Sequence, residues 1–211
     1  MKTLCIADFD DTLILTDSLA YIMKREKWYL RPSLVTAGIG IIVSRMIPSQ
    51  DKKNIALKAR SRFKEQLLRL YYGLPQEKHD SYIATLRSLI NTAVIEDIKA
   101  KQFDRIVIVS ASETELIKEV IGDLWPDITI IANSLDASVN RNITLNPDLR
   151  NPQSEFTTCY GKHKVSRLTE AVPDLGDYDI SVYTDSLSDK PLIDLASSAY
   201  MVGGTTINRI K

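Results

Sequence analysis

The run Thr3-Leu4-Cys5-Ile6-Ala7-Asp8-Phe9-Asp10-Asp11-Thr12 decides how the rest of the chain reads. An apolar stretch, Thr3 to Ala7, stops abruptly at a cluster of carboxylates. A short continuous apolar run is the pattern of a strand covered on both faces, as in a parallel sheet. Residues two apart in an extended segment point the same way, so Asp8 and Asp10 can flank one small volume at the strand's carboxyl end. That end is where open α/β sheets bind ligands. Two carboxylates there can hold a hard divalent cation, or one can attack while the other moves a proton. An acidic turn with no chemistry would use the same letters, so the remaining motifs carry the decision.

Working outward, two more apolar runs end the same way, Arg105 to Val109 and Ile180 to Tyr183. Weaker strand patterns lie at Ile128 to Ala132 and Ala199 to Val202. Helical patterns at Glu113–Leu124, Lys162–Ala171 and Lys190–Ala196 separate them, with Ser112 or a neighbour available to cap the first. Alternating strand and helix predicts an α/β fold with a mostly parallel, Rossmann-like doubly wound sheet. From residue 17 to 101 the chain shows helix periodicity and no convincing strand. Helices are expected at Leu19–Glu26, Pro32–Met46, Lys52–Leu70, Gln76–Ser88 and Asn91–Lys101. The expected organisation is a core of residues 1–16 and 102–211 with an all-helical insertion, residues 17–101. The stretch Asn133 to Phe156, rich in Asn, Asp and Ser, reads as a surface loop or irregular hairpin.

The chemistry-bearing residues follow the strands. Ser110-Ala111-Ser112 comes directly after RIVIV, and a hydroxyl with free amides at a helix start suits a phosphate oxygen. It equally suits a plain helix cap. Asp185 ends the Ile180–Tyr183 run and can complete a metal site with the first pair. Asp189, four residues on, either serves that site or caps the helix beginning near Lys190. Lys164 lies near a helix start, where a cation opposes the macrodipole unless an anion is close. Three of these signals share one edge of a parallel sheet. Together they supply carboxylates, a serine, a lysine and turn amides, the equipment for metal-assisted phosphoryl transfer.

Composition narrows the partners. The 211 residues hold 27 Lys and Arg against 27 Asp and Glu, so no global field collects nucleic acid, although local basic patches are open. Two cysteines give no disulfide framework, and a reducing cytoplasm is the expected compartment. Cys5 reads as a buried small hydrophobe. The apolar stretch Leu34 to Ile47 is shorter than the ~20 residues of a membrane span. A buried helix is the favoured reading, and an interfacial helix is the alternative.

With these motifs in order, the chain resembles the haloacid dehalogenase superfamily of phosphatases. DFDDT at Asp8–Thr12, IVIVSAS ending at Ser112, Lys164 in CYGKHKVSRL and YTDSLSD at Tyr183–Asp189 carry the resemblance. The branch it resembles, that of phosphoserine phosphatase and the phosphatidylglycerophosphatase C type, inserts a helical cap between the first two motifs. The resemblance implies a magnesium-dependent phosphatase forming an aspartyl-phosphate on Asp8, with Asp10 as general acid and base. It implies Mg2+ held by Asp8, Asp185 and the backbone carbonyl of Asp10. Ser110, the amide of Ala111 and Lys164 would hold the phosphoryl group. Asp189 would orient Lys164 or a metal-bound water, and Thr12 would brace the loop. Asp11 stands where many members have Gly or Ser and is expected to face outward. Asp17 stands where phosphoserine phosphatases usually carry a Glu that reads the substrate's amino group. It is expected first as a helix cap and second as a substrate contact. The implied partner is a small phosphorylated metabolite or a lipid phosphate. Phosphotransfer to another acceptor, or an idle binding protein on the same fold, are the competing readings.

Overall fold

The computed structural model describes residues 2–46, 52–125, 127–135, 156–157, 159–160 and 162–211. The first apolar run forms β1 (Lys2–Ala7). Its neighbours in the sheet are β2 (Arg105–Glu113) on one side and β5 (Tyr178–Thr184) on the other, both parallel to it. Beyond β2 lies β3 (Thr129–Leu135), and beyond β5 lies β6 (Ser198–Gly203), again parallel. A last strand, β7 (Thr206–Arg209), closes the β6 edge as an antiparallel hairpin. At the other end, β4 (Phe156–Thr157) pairs antiparallel with Ser134 and Leu135.

Central position explains the composition of β1. Leu4, Cys5, Ile6 and Ala7 are all fully buried, because alternate side chains enter opposite layers and both layers are dry. Leu4 and Ile6 join Val107, Val109, Val182 and Leu168 in one hydrophobic cluster. The helices of these crossovers are α6 (Thr114–Ile121), α7 (Lys162–Ala171) and α8 (Lys190–Leu195). Register sets the site: Ala7 pairs with both Ile108 and Tyr183, so the residues just beyond these pairs, Asp8, Val109–Ser110 and Thr184–Asp185, lie at one level.

The helices of the insertion are α1 (Ser18–Arg25), α2 (Pro32–Met46), α3 (Lys52–Tyr72), α4 (Gln76–Ser88) and α5 (Thr92–Lys101). The chain divides into two compact units. One comprises residues 1–18, 80–133 and 158–211; the other comprises 19–79 and 134–157. Residues 80–101, expected with the insertion, thus group with the sheet. The tie is local and physical. Ile14 bridges Ile90, the amide of Leu15 donates to Leu89, and that of Asn91 donates to Leu13. Val94 and Ile98 of α5 are buried.

In the second unit α2 packs along α3; a Cβ added at Gly38 would lie 4.0 Å from Phe63 Cε2. Arg69 pairs with Glu65 and Lys78 with Glu26, each at 2.8 Å. The buried reading of Leu34–Ile47 holds for one side of the helix: Leu34 and Ser44 are buried and Ala37, Gly38 and Ile41 half-buried. Val35, Ile39, Ile42 and Val43 are exposed, and Ile47 lies outside the described residues. No helix among the described residues is long and apolar enough to cross a membrane.

The polar stretch from Asn133, expected as a loop or irregular hairpin, begins as the last residues of β3, where Ser134 and Leu135 pair antiparallel with β4; Asn133 is buried, and residues 136–155 lie outside the described residues. The cap of α6 is Glu113, the neighbour of Ser112; its carboxylate accepts the amide of Leu116 at 2.6 Å. Negative charge at a helix start is favourable, which is how this carboxylate is tolerated with no solvent exposure.

Candidate active site

The backbone leaves β1 by donating the Asp8 amide to the carbonyl of Tyr183 at 3.0 Å. The chain then turns tightly, with the amides of Leu13 and Ile14 both donating to the carbonyl of Phe9. Asp11 takes a left-handed conformation (φ 52°), which Asp tolerates better than most residues, and its side chain is exposed as expected. Oδ1 of Asp8 accepts the amide of Phe9 at 2.7 Å. Oδ1 of Asp10 accepts the amide of Ser18, the first residue of α1, at 2.8 Å. The Ser18 hydroxyl in turn lies 2.7 Å from that of Ser112, tying the start of α1 to the end of β2.

Lys164 brings the distant motifs together. Its Nζ lies 2.8 Å from Asp8 Oδ2 and 2.8 Å from Asp189 Oδ2, with the side chain only 4% exposed. Burial disfavours the ammonium, but Asp8 and Asp189 outweigh it and hold the Lys164 pKa above the ordinary lysine range. The cation is therefore permanent, and its place in the first turn of α7 is compensated by these two anions. Burial pushes the Asp8 carboxyl up, but the charge and hydrogen bond of Lys164 and the Phe9 amide more than offset this and hold it below the usual range. Asp189 moves oppositely, pushed up to about 6 by burial and by the charge of Asp8. Its carboxylate also accepts the Thr184 hydroxyl at 3.0 Å. Asp189 makes no side-chain cap to α8, so of its two readings the structure bears on the site and not on the helix start.

Asp185 follows β5 directly and is partly buried; burial and the neighbouring Asp8 raise its carboxyl. Two carboxylates that disfavour each other's charge suit a divalent cation between them. With the carbonyl of Asp10 they would make an all-oxygen set, which would suit a hard ion such as Mg2+. No group of three or more His, Cys, Asp or Glu side chains able to hold a metal occurs among the described residues. A site here would therefore need main-chain oxygen as well.

Ser110 is buried at the end of β2, and its hydroxyl accepts the amide of Ser112 at 3.1 Å. The carbonyl of Ala111 is taken by the Asn133 side-chain amide, whose Oδ1 accepts the amide of Cys159. Asn133 thus braces both the Ser110 loop and the approach to Lys164, a role that no local pattern announces. The Thr12 hydroxyl is buried with no hydrogen-bond partner among the described residues. The loop is braced instead by Asn91, whose Nδ2 donates to the carbonyls of Thr12 (3.0 Å) and Gly204 (2.8 Å). Asp17 directly precedes α1 and is half-buried; its charge contributes, after burial, to raising Asp11.

A family model described as haloacid dehalogenase-like hydrolase matches residues 5–194. No curated protein matches the chain significantly. Several solved structures share the fold. A protein of unknown function from Bordetella pertussis Tohama I is 16% identical over 94% of this chain and 89% of its own (TM-score 0.59). A phosphoserine phosphohydrolase-like protein from Francisella tularensis is 20% identical over 94% and 86% (TM-score 0.52). A phosphoserine phosphatase in apo form is 14% identical over 94% and 85% (TM-score 0.53).

Proposed function

The chain belongs to the haloacid dehalogenase-like hydrolases, and on that premise we propose that it is a magnesium-dependent phosphatase acting on a phosphate monoester. The observation that carries the proposal is the buried Asp8–Lys164–Asp189 constellation at the carboxyl ends of the central strands. A carboxylate kept ionised by a fixed cation is a competent nucleophile at neutral pH. Asp8 attacks phosphorus and becomes the aspartyl-phosphate. Asp10, oriented by the Ser18 amide, gives its proton to the departing alcohol oxygen. It then takes a proton from the water that cleaves the acyl phosphate, returning Asp8 and releasing inorganic phosphate. Lys164, the Ser110 hydroxyl and the Ala111 amide hold the phosphoryl oxygens as charge shifts among them. Asp8, Asp185 and the Asp10 carbonyl would hold magnesium, which would supply further neutralisation of that charge. Asp189 keeps Lys164 in place. The helices of residues 17–101 choose the substrate, with Asp17 as one candidate contact. Cys5 and Cys159, both free and buried, suit a reducing compartment such as the cytoplasm.

The test is phosphate release from a panel of monoesters with magnesium: an aryl phosphate, phosphoserine, sugar phosphates, nucleotides and lipid phosphates. Free phosphate from at least one, lost with EDTA and restored by magnesium, is the expected result. Phosphate transferred to an acceptor would replace hydrolysis with phosphotransfer. No release from any substrate would leave a binding protein on this fold.

A further inference from the structure

The net charge of zero conceals a division. Leu19–His79 carries thirteen Lys and Arg against four Asp and Glu, a formal charge of +9. The rest of the chain carries fourteen against twenty-three, or −9. The same basic segment displays the apolar face of α2. Leu34 turns inward and is buried, whereas Val35, Ile39, Ile42 and Val43 are exposed, Ile42 at 60%. At 3.6 residues per turn these four side chains fall within about 100° of the helix circumference. Leu30 (67% exposed) and Tyr29 extend the apolar patch beyond the start of α2. Lys24, Arg25, Lys27 and Arg31 are exposed beside it and form no ion pair among the described residues.

A helix that is apolar on its outer as well as its inner side has a second medium to meet. We infer that this face docks the protein on an anionic phospholipid surface, with α2 lying in the headgroup plane. Length excludes spanning: fifteen residues reach about 22 Å, short of the ~30 Å hydrocarbon core. Aliphatic side chains on the face, a tyrosine at its border and unpaired basic residues beside it are the features of an interfacial helix. The +9 charge supplies the attraction to anionic headgroups. Nucleic acid would meet the same charge but finds no use for Val35, Ile39, Ile42 and Val43.

Vesicle flotation of the full chain tests this without reference to turnover, so its failure and that of the phosphatase reading are separable. The chain is expected to float with vesicles of phosphatidylglycerol and phosphatidylcholine and not with phosphatidylcholine alone. Binding should fall by about tenfold or more between low and roughly 0.5 M salt, as screening shortens. Ile39→Glu with Ile42→Glu should lower partition by at least about tenfold, with helicity by circular dichroism unchanged. Lys24→Gln, Arg25→Gln, Lys27→Gln and Arg31→Gln together should do the same through charge. Failure to bind, equal binding to neutral vesicles, or binding indifferent to Ile39→Glu with Ile42→Glu would each overturn the inference. So would a lipid-free dimer dispersed by that pair, which would assign the face to a second copy of the chain.

Discussion

Lys164 donates to Asp8 at 2.8 Å across 156 residues of sequence, and the contact is buried. Lys164→Met keeps the stem and removes the charge, leaving Asp8 and Asp189 with no cation between them. Loss of one partner from a buried ionic cluster costs about 3–5 kcal/mol. For a chain of this size that lowers the thermal midpoint by roughly 6–20 °C. The deficit should shrink as pH falls below about 6, because Asp189 is the group already poised to take up a proton. Thermal unfolding at pH 7.5 and pH 5 reads both effects.

Asp8→Asn removes the proposed nucleophile and retains an oxygen for the Phe9 amide. Turnover of an aryl phosphate should drop by at least about a thousandfold, while the circular dichroism spectrum stays that of the parent. Activity near the parent level would exclude Asp8 as the attacking group.

Asn91 holds two carbonyls, those of Thr12 and Gly204, with one side-chain amide. Asn91→Ala leaves both without that donor and should cost about 2–3 kcal/mol in urea unfolding. Because Thr12 follows Asp10 by two residues, kcat should fall more than KM rises.

Asp97 accepts from Lys101 at 2.7 Å and from the Tyr183 hydroxyl at 2.6 Å. Burial raises its carboxyl, but these two donors and the lysine charge outweigh it and set the folded-state pKa below the ordinary value. A depressed carboxyl contributes stability above its unfolded pKa and loses it as pH falls through the folded one. Asp97→Asn should therefore be less stable than the parent at pH 7, by about 1 kcal/mol at this partly exposed site. The gap should close toward pH 3, as urea midpoints at the two pH values would show.

The strands and motif loops were legible because their signals are local. Thr3–Ala7 is apolar without interruption, as a doubly covered strand must be, and the residues at its end are acidic where solvent begins. Asn91 and Asn133 gave no such signal. Each is a single polar letter whose meaning comes from a carbonyl or amide far along the chain: Thr12 and Gly204 for one, Ala111 and Cys159 for the other. Edge strand β7, Thr-Ile-Asn-Arg, needs little apolar alternation, so its letters do not separate it from a tail. Periodicity placed α2 at Pro32–Met46 correctly. It could not tell which of two apolar sides neighbouring helices cover, and the outer one is open. Helical periodicity is silent about which neighbour a helix packs on; α5 groups with the sheet because Asn91 before it is tied to the Thr12–Leu15 loop.

The position of β1 has a consequence for synthesis. β1, which precedes both of its partners in the chain, pairs with Arg105–Ile108 on one side and Tyr178–Tyr183 on the other. At roughly 5–20 residues per second, the second of these partners emerges about 10–35 s after the first strand does. Until Arg105–Ile108 emerges both hydrogen-bonding edges of the apolar run Leu4–Ala7 are unsatisfied, and one edge stays open for the rest of that interval. Nascent chains should accordingly engage holdase chaperones early, and the reactive centre should be among the last features of the newborn protein to assemble.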